Sequence, residues 1–288
     1  MKTQGRWWRS VAAVAAVAAM SLGSAAAADA TVRWKMQSWF PTKLPHVGSQ
    51  ALDIARKAKE VSGGTIQIHV FEPGALIPPA ECFDAVSNGA VDLCWGVAGY
   101  YYGKNPALAV FSAIPFGPKW PEMLAYFYYG GAREQYEAIY ARNNIKGLVC
   151  GGTVAEASGW FRKEIKTVDD LKGLKFRIAG MGGHVLAKLG IVPQQIAGGD
   201  VYSALEKGSI DAAEFVGPYD DEKLGFYKVA KYYYFPGWWE GGAMLHMIVN
   251  DEKWNALPKQ YQAILNQAGA AAGSWMIEKY DSVNPAAL

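Results

Sequence analysis

The sequence predicts an α/β protein of two lobes with a ligand cleft between them, each lobe centred on a mixed, mostly parallel sheet. Three observations point there. Strand-like and helix-like stretches alternate along the chain, one helix–Gly–strand device occurs twice with its aspartates 119 positions apart, and 288 residues suffice for two units of ordinary size. A composition of 51% hydrophobic and 19% charged residues supports folded cores rather than disorder.

The chain opens with Lys2, Arg6 and Arg9, an apolar run from Val11 to Leu22, and the small-residue stretch "GSAAAADA" ending at Ala30. This pattern is that of an export signal over residues 1–28, cut near Ala28, because the apolar run is too short for a good membrane span. No later segment is long and apolar enough to span. Removing the signal takes the 28 basic residues to 25 against 26 acidic ones, so the mature chain carries about one net negative charge. No basic stripe remains for nucleic acid, which is excluded as a partner.

The mature elements follow in order. Thr31 to Phe40 alternates like a strand, His46 to Gly64 is an amphipathic helix stopped by Gly63-Gly64, and Thr65 to Gly74 is a second strand. Met123 to Arg142 reads as one long helix. "IKGLVCGG" and "GWFRKEI" read as strands near the crossing between lobes; Val168 to Gly180 gives a short helix, Gly173 and a strand, and "GGHVLAKLG" a helix. The repeated device is "FDAVSNGAVDLCW" (83–95) and "YSALEKGSIDAAEF" (202–215). In each a short helix ends on a glycine suited to the left-handed conformation, Gly89 or Gly208, and a strand starts around Asp92 or Asp211. Cys82, Cys94 and Cys150 lie in apolar settings and read as buried free thiols, with a Cys82–Cys94 bridge as the alternative in an oxidising compartment.

Candidate site residues are few. Arg177 sits in the apolar strand run "LKFRIAG", where a guanidinium needs a partner and offers a planar fork to a carboxylate; the alternative is an edge-strand arginine facing solvent. Glu214, Phe215 and Glu240 gather carboxylates and a backbone carbonyl suited to a hard cation; the alternative is separate surface glutamates or arginine partners. Of Tyr100, Tyr101 and Tyr102, at least one must line a surface or cleft, since three consecutive rings cannot all face the core. Catalytic motifs are missing: no Gly-x-Ser-x-Gly, no His-Glu-x-x-His, no Walker loop, and a Gly180–Gly183 run without the full dinucleotide fingerprint. The four histidines have no metal-ligand spacing.

"GLKFRIAG", "LGIVPQQIAGGDVYSALEKGSIDAAEFVGPYDDEKLGF" and "YYYFPGWWEGG", backed by "GYYYGKNP", "GWFRKEI" and the opening "WKMQSWFP", resemble the extracytoplasmic solute-binding subunit of TRAP transporters, the DctP-type family, in its 2-oxo acid and monocarboxylate branch. The resemblance covers nearly the whole mature chain and is most specific over 189–242. It implies a two-lobed periplasmic binding protein, not an enzyme, that captures a small carboxylate such as pyruvate or lactate with a metal cation, sodium or calcium, and delivers it to the membrane permease subunits.

By that resemblance Arg177 clamps the substrate carboxylate, Glu214 and the Phe215 backbone hold the cation, and Glu240 with Tyr100 and Tyr101 completes the pocket. Glu156 stands where the branch has glutamine and adds a negative charge to substrate and cation alike, favouring a divalent ion or requiring a proton. Phe215 stands where tryptophan is expected. The implied lobes are 29–152 with about 241–275, and 153–240. In "YDSVNPAAL", Asn284 and Pro285 read as the start of a new helix, so 276–288 is expected to begin a truncated C-terminal helical region, which in this branch takes part in homodimer formation. Two rival readings stand beside this one: a C4-dicarboxylate receptor, which needs a second cationic anchor, and a secreted glycoside hydrolase with Glu214 and Glu240 as its acid and nucleophile and Trp238 and Trp239 stacking the sugar.

Overall fold

The computed structural model describes residues 31–288, so the export signal expected over 1–28 lies outside the described residues. The chain begins with β1 (Val32–Ser38), α1 (Ser49–Val61), β2 (Ile66–Phe71), α2 (Cys82–Ser87) and β3 (Leu93–Val97). Next come α3 (Trp120–Tyr129), α4 (Ala132–Ala141) and β4 (Ile145–Gly152). The expected helix over 123–142 is therefore two helices. Gly131, at φ +83°, adopts a left-handed conformation that ends one helix and starts the other in a new direction.

The chain then crosses to a second sheet: β5 (Gly159–Phe161), β6 (Lys175–Arg177), α5 (Gly180–Ala187), β7 (Val192–Gln194), α6 (Gly198–Glu206), β8 (Ala212–Ala213), α7 (Pro218–Leu224) and β9 (Tyr232–Tyr234). It returns as β10 (Met244–Asn250), α8 (Asp251–Asn255) and the 29-residue α9 (Lys259–Ala287). Asn284 and Pro285 are thus the last turn of α9 rather than the start of another helix. Asn284 Oδ1 accepts from the Tyr219 N–H at 3.1 Å, which fastens α9 to α7. None of the helices among the described residues is long and apolar enough to cross a membrane.

Both sheets follow one plan. Their orders are β2-β1-β3-β10-β4 and β7-β6-β8-β5-β9, with the first three strands of each mutually parallel. The fourth strand, β10 or β5, runs against both its neighbours. It is the strand that has just arrived from the other half of the chain. The sheets are therefore mixed, with four of five strands in one direction.

The repeated device occupies equivalent places in this plan. Gly89 and Gly208 stand at φ +78° and +70°, a conformation costly to any residue with a Cβ. Each aspartate then caps the neighbouring parallel strand: Asp92 Oδ2 accepts from the Lys35 N–H at 2.7 Å, and Asp211 Oδ2 from the Lys175 N–H at 2.9 Å. In both lobes the same side chain satisfies a backbone donor just before the two parallel strands begin to pair, Met36 with Leu93 and Phe176 with Ala212.

The larger core lies over the first sheet and runs on through Val201, Leu205, Phe215 and Phe226 under the second. Burial of such side chains stabilises by about 1.5–3 kcal/mol each. Trp95, fully buried, is oriented by its indole N–H donating to the Val47 carbonyl at 2.7 Å. A smaller core of Phe161, Phe176, Ile178, Leu186 and Trp239 covers the other part of the second sheet. Cys82 and Cys94 form a disulfide, which corrects the free-thiol reading for that pair, because α2 and β3 bring their Cα atoms to 6.0 Å; Cys150 is a buried free thiol.

Candidate functional site

Arg177 ends β6 and faces Ala213 of β8 across a parallel pairing, so Glu214 falls just beyond the strand end. The carboxyl ends of parallel strands open onto a crevice, and both residues line it. Arg177 is not a solvent-facing arginine. It is 2% exposed, and its Nη1 donates to Glu214 Oε1 at 2.7 Å and to the Glu214 carbonyl at 2.8 Å, while Nε donates to the Ile196 carbonyl at 3.1 Å. Glu214 Oε1 also accepts from the Ala179 N–H at 3.3 Å.

A guanidinium has five N–H donors, and these bonds use three. The two on Nη2 meet no backbone or carboxylate acceptor among the described residues, and the Tyr100 phenol lies within hydrogen-bonding reach of the guanidinium. The side chain is therefore fixed in place with its Nη2 end left without an anionic partner. Its Cζ lies 5.1 Å from the centre of the Phe215 ring, which stacks beneath it. A Cβ at Gly198 would fall 2.3 Å from that ring, so glycine there is what lets α6 approach it.

Glu156 and Glu240 come from the two crossing segments, which lie side by side. Thr153 N–H donates to the Ala243 carbonyl at 2.9 Å, Glu156 N–H to the Glu240 carbonyl at 3.3 Å, and Gly237 N–H to the Glu156 carbonyl at 2.7 Å. Thr153 Oγ1 accepts from the Ala243 N–H at 2.7 Å and donates to Glu240 Oε1 at 3.4 Å. Glu156 Oε2 is buried with no partner.

Burial, followed by the charges of Glu240 and Glu214, holds the Glu156 carboxyl well above the usual range. Burial likewise raises Glu240 to about 7. It raises Glu214 as well, against the opposing pull of Arg177. For Arg177 burial disfavours the charge, but Glu214 together with Tyr100 and Glu156 outweighs it and the guanidinium stays firmly protonated.

The cavity these residues enclose is about 50 Å³. One water needs roughly 10–15 Å³ on that measure, so the space suits an ion and a small molecule rather than a sugar chain. Val97, Ala109, Ala113, Met181 and Leu245 supply an apolar wall. Three carboxylates face one guanidinium among the lining residues, a net charge of −2 when all are ionised. The orphaned Glu156 oxygen and this excess of negative charge fit a cation. Among the described residues no three acidic, histidine or cysteine side chains converge as a ready cage, so main-chain or ligand oxygens have to complete any coordination.

The predicted residues thus gather, with one exception. Tyr100 lines the cavity, its phenol raised to about 12 by burial, and stands 4.6 Å from the Trp39 ring. Tyr101 does not reach the cavity. It turns into the core against Phe83 and His246 and accepts from the Trp39 indole N–H at 3.3 Å. In the short 3₁₀ turn over 98–101, consecutive side chains point in different directions. Thr153 and Ser112 also line the cavity and carried no signal of their own in the sequence; Trp239, singled out there only as a sugar-stacking ring, lines it too. Trp238 packs on Phe116 at 5.1 Å, outside the lining.

Comparison with known proteins identifies the family. Residues 40–288 match the family "Bacterial extracellular solute-binding protein, family 7", DctP. The monocarboxylate 2-oxoacid-binding periplasmic protein of Nostoc sp. is 45% identical over 259 residues, covering 89% of this chain and 70% of the relative. The TRAP transporter solute binding protein of Bordetella bronchiseptica, a mixed-occupancy dimer with copurified calcium and picolinate, superposes with a TM-score of 0.88 at 46% identity, over 90% of this chain and 77% of that one. The TRAP periplasmic solute binding protein of Pseudoalteromonas atlantica, with bound sodium and pyruvate, gives 0.85 at 38% identity, over 90% and 79%. With its match spanning nearly the whole described chain, this protein belongs to the DctP family of bacterial extracellular solute-binding proteins.

Proposed function

We propose that this protein is the periplasmic receptor of a TRAP transporter, capturing a small monocarboxylate, a 2-oxo acid such as pyruvate or a 2-hydroxy acid such as lactate, together with a sodium or calcium ion. It performs no chemistry on that ligand and presents it to the membrane permease subunits. The observation that carries the reading is a buried, immobilised Arg177 whose Nη2 meets no protein carboxylate among the described residues, in one cavity with a buried Glu156 Oε2 that receives no hydrogen bond. One end takes an anion and the other takes a cation.

In this reading Arg177 holds the ligand carboxylate, Tyr100 shapes its pocket, and Glu214, Glu156, Glu240 and the Phe215 backbone face the ion. A bound cation supplies positive charge that both the carboxylates and the ligand oxygens can share. The expected lobes, 29–152 with about 241–275, of which the structure describes 31 onward, and 153–240, close on the ligand as a pair. A C4-dicarboxylate is disfavoured because Arg177 is the one cationic side chain among the described lining residues. A glycosidase pair is disfavoured because Glu214 is tied to Arg177 and the Ala179 N–H.

The test is calorimetric titration of the metal-stripped mature protein with pyruvate and with succinate, alone and with sodium or calcium. Pyruvate binding that depends on an ion is the expected result. Tighter succinate binding, or no pyruvate binding in a sample with an intact melting transition, overturns the reading.

A further inference from the structure

The three consecutive tyrosines serve three different places, and the third has no part in the site as described. Tyr100 lines the cavity and Tyr101 enters the core. Tyr102 is half-buried and stacks on the exposed imidazole of His184, with centroids 4.1 Å apart and planes at 29°. Tyr102 follows the 98–101 turn beside the first sheet, whereas His184 is on α5 beside the second. Two further contacts join the same edges. Gln195 Nε2 donates to the Tyr100 carbonyl at 3.3 Å, and a Cβ on Gly99 would lie 3.9 Å from the Gly180 Cα. Gly99, Tyr100 and Gly180 line the cavity, so this seam is one of its walls.

Neither Tyr102 nor His184 lines the cavity. Their stack therefore adds nothing to ligand contact and counts only when the two edges meet. We propose that Tyr102 and His184 form a clasp at the lip of the cleft that holds the lobes closed and so sets how long a ligand stays bound. They are positioning residues, and the inference rests on the reading of two lobes closing over a small carboxylate. A stacked aromatic pair of this kind shifts a closed-to-open ratio by roughly 2- to 10-fold. Since the contact forms after the ligand has entered, the shift falls on release rather than on capture.

The experiment is stopped-flow tryptophan fluorescence with pyruvate and calcium on the wild-type protein, His184→Ala, Tyr102→Leu, the double variant and His184→Phe. Expected are release rates raised roughly 2- to 10-fold by each single change, no further rise in the double variant, unaltered capture rates, and slow release regained by His184→Phe. Unchanged release rates, or independent additive effects, overturn the clasp. Should the wild-type protein bind no pyruvate, the ligand reading fails on its own, and the clasp is judged by interlobe distances between spin labels at Arg56→Cys and Lys172→Cys. His184→Ala is expected to shift that distribution towards longer distances; an unshifted distribution counts against the clasp. His184 is exposed and Cys150 is buried, so neither folding nor labelling is compromised.

Discussion

Replacing Arg177 tests the anion end of the site, and two replacements separate binding from folding. Arg177→Met removes the three bonds to Ile196 and Glu214 and leaves Glu214 buried without its partner. Stranding a buried charge costs about 3–5 kcal/mol, so this variant should melt well below the parent. Arg177→Lys keeps a cation beside Glu214 and should fold. An ammonium has only three N–H donors, however, and cannot serve Ile196, both Glu214 oxygens and a ligand together. The two charge-assisted bonds assigned to Nη2 contribute about 1.5–3 kcal/mol each, so losing both weakens pyruvate binding by roughly 10²- to 10⁴-fold. Isothermal titration of Arg177→Lys with pyruvate at saturating calcium measures this, and calcium binding alone should survive. A folded Arg177→Lys protein whose pyruvate affinity stays within about threefold of wild type would refute the assigned role.

Two other predictions address the acidic groups. Glu156→Gln lowers the charge of the lining from −2 to −1 and should weaken calcium by roughly 10- to 1,000-fold while affecting sodium less, as read by competition titration; equal losses for both ions would show that charge is not what Glu156 contributes. Asp221, buried and bonded to the Trp160 indole and the Val216 N–H, has its carboxyl raised by burial to about 8. The unfolded chain releases that proton near its ordinary value of about 3.9, so between there and 8 the folded state holds the extra proton and stability falls as pH rises, by at most about 1.4 kcal/mol per unit. Asp221→Asn should therefore gain stability relative to wild type as pH is raised from about 5 to about 8 in urea titrations, and a pH-independent difference contradicts the burial argument.

The parts of the fold that were legible in the sequence are those where one residue type satisfies a local physical demand. Gly89 and Gly208 mark left-handed turns, and Asp92 and Asp211 the strand starts that follow; the device acts within one lobe and recurs in the other, and the structure adds that each aspartate also bonds the neighbouring strand. Arg177 was legible because it sits among apolar residues that cannot satisfy a charge, and Glu214 because it follows the repeated device at the end of a strand. What could not be read depends on distant segments meeting. Thr153 becomes a wall of the site only because Glu240, 87 positions away, crosses beside it. Tyr100, Tyr101 and Tyr102 are chemically alike, and only the turn over 98–101 decides their directions. The break at Gly131 was hidden because the apolar spacing on both sides fits a single helix.

The crowding of acids around Arg177 also explains why an ion and an anion belong in one cavity. Without a cation, Glu156, Glu214 and Glu240 repel one another, and burial keeps Glu156 and Glu240 inclined to hold protons at neutral pH. A ligand carboxylate would add a further negative charge to the same space. With calcium in the proposed place the lining, fully ionised, is neutral, and a monocarboxylate brings it to −1 rather than −3. By linkage the ion must then strengthen the ligand by the same factor as the ligand strengthens the ion. A dicarboxylate would raise the excess to −2 with no second guanidinium to meet it. On the proposed reading the cleft thus discriminates between one carboxylate and two through charge alone, before the shape of its apolar wall is considered.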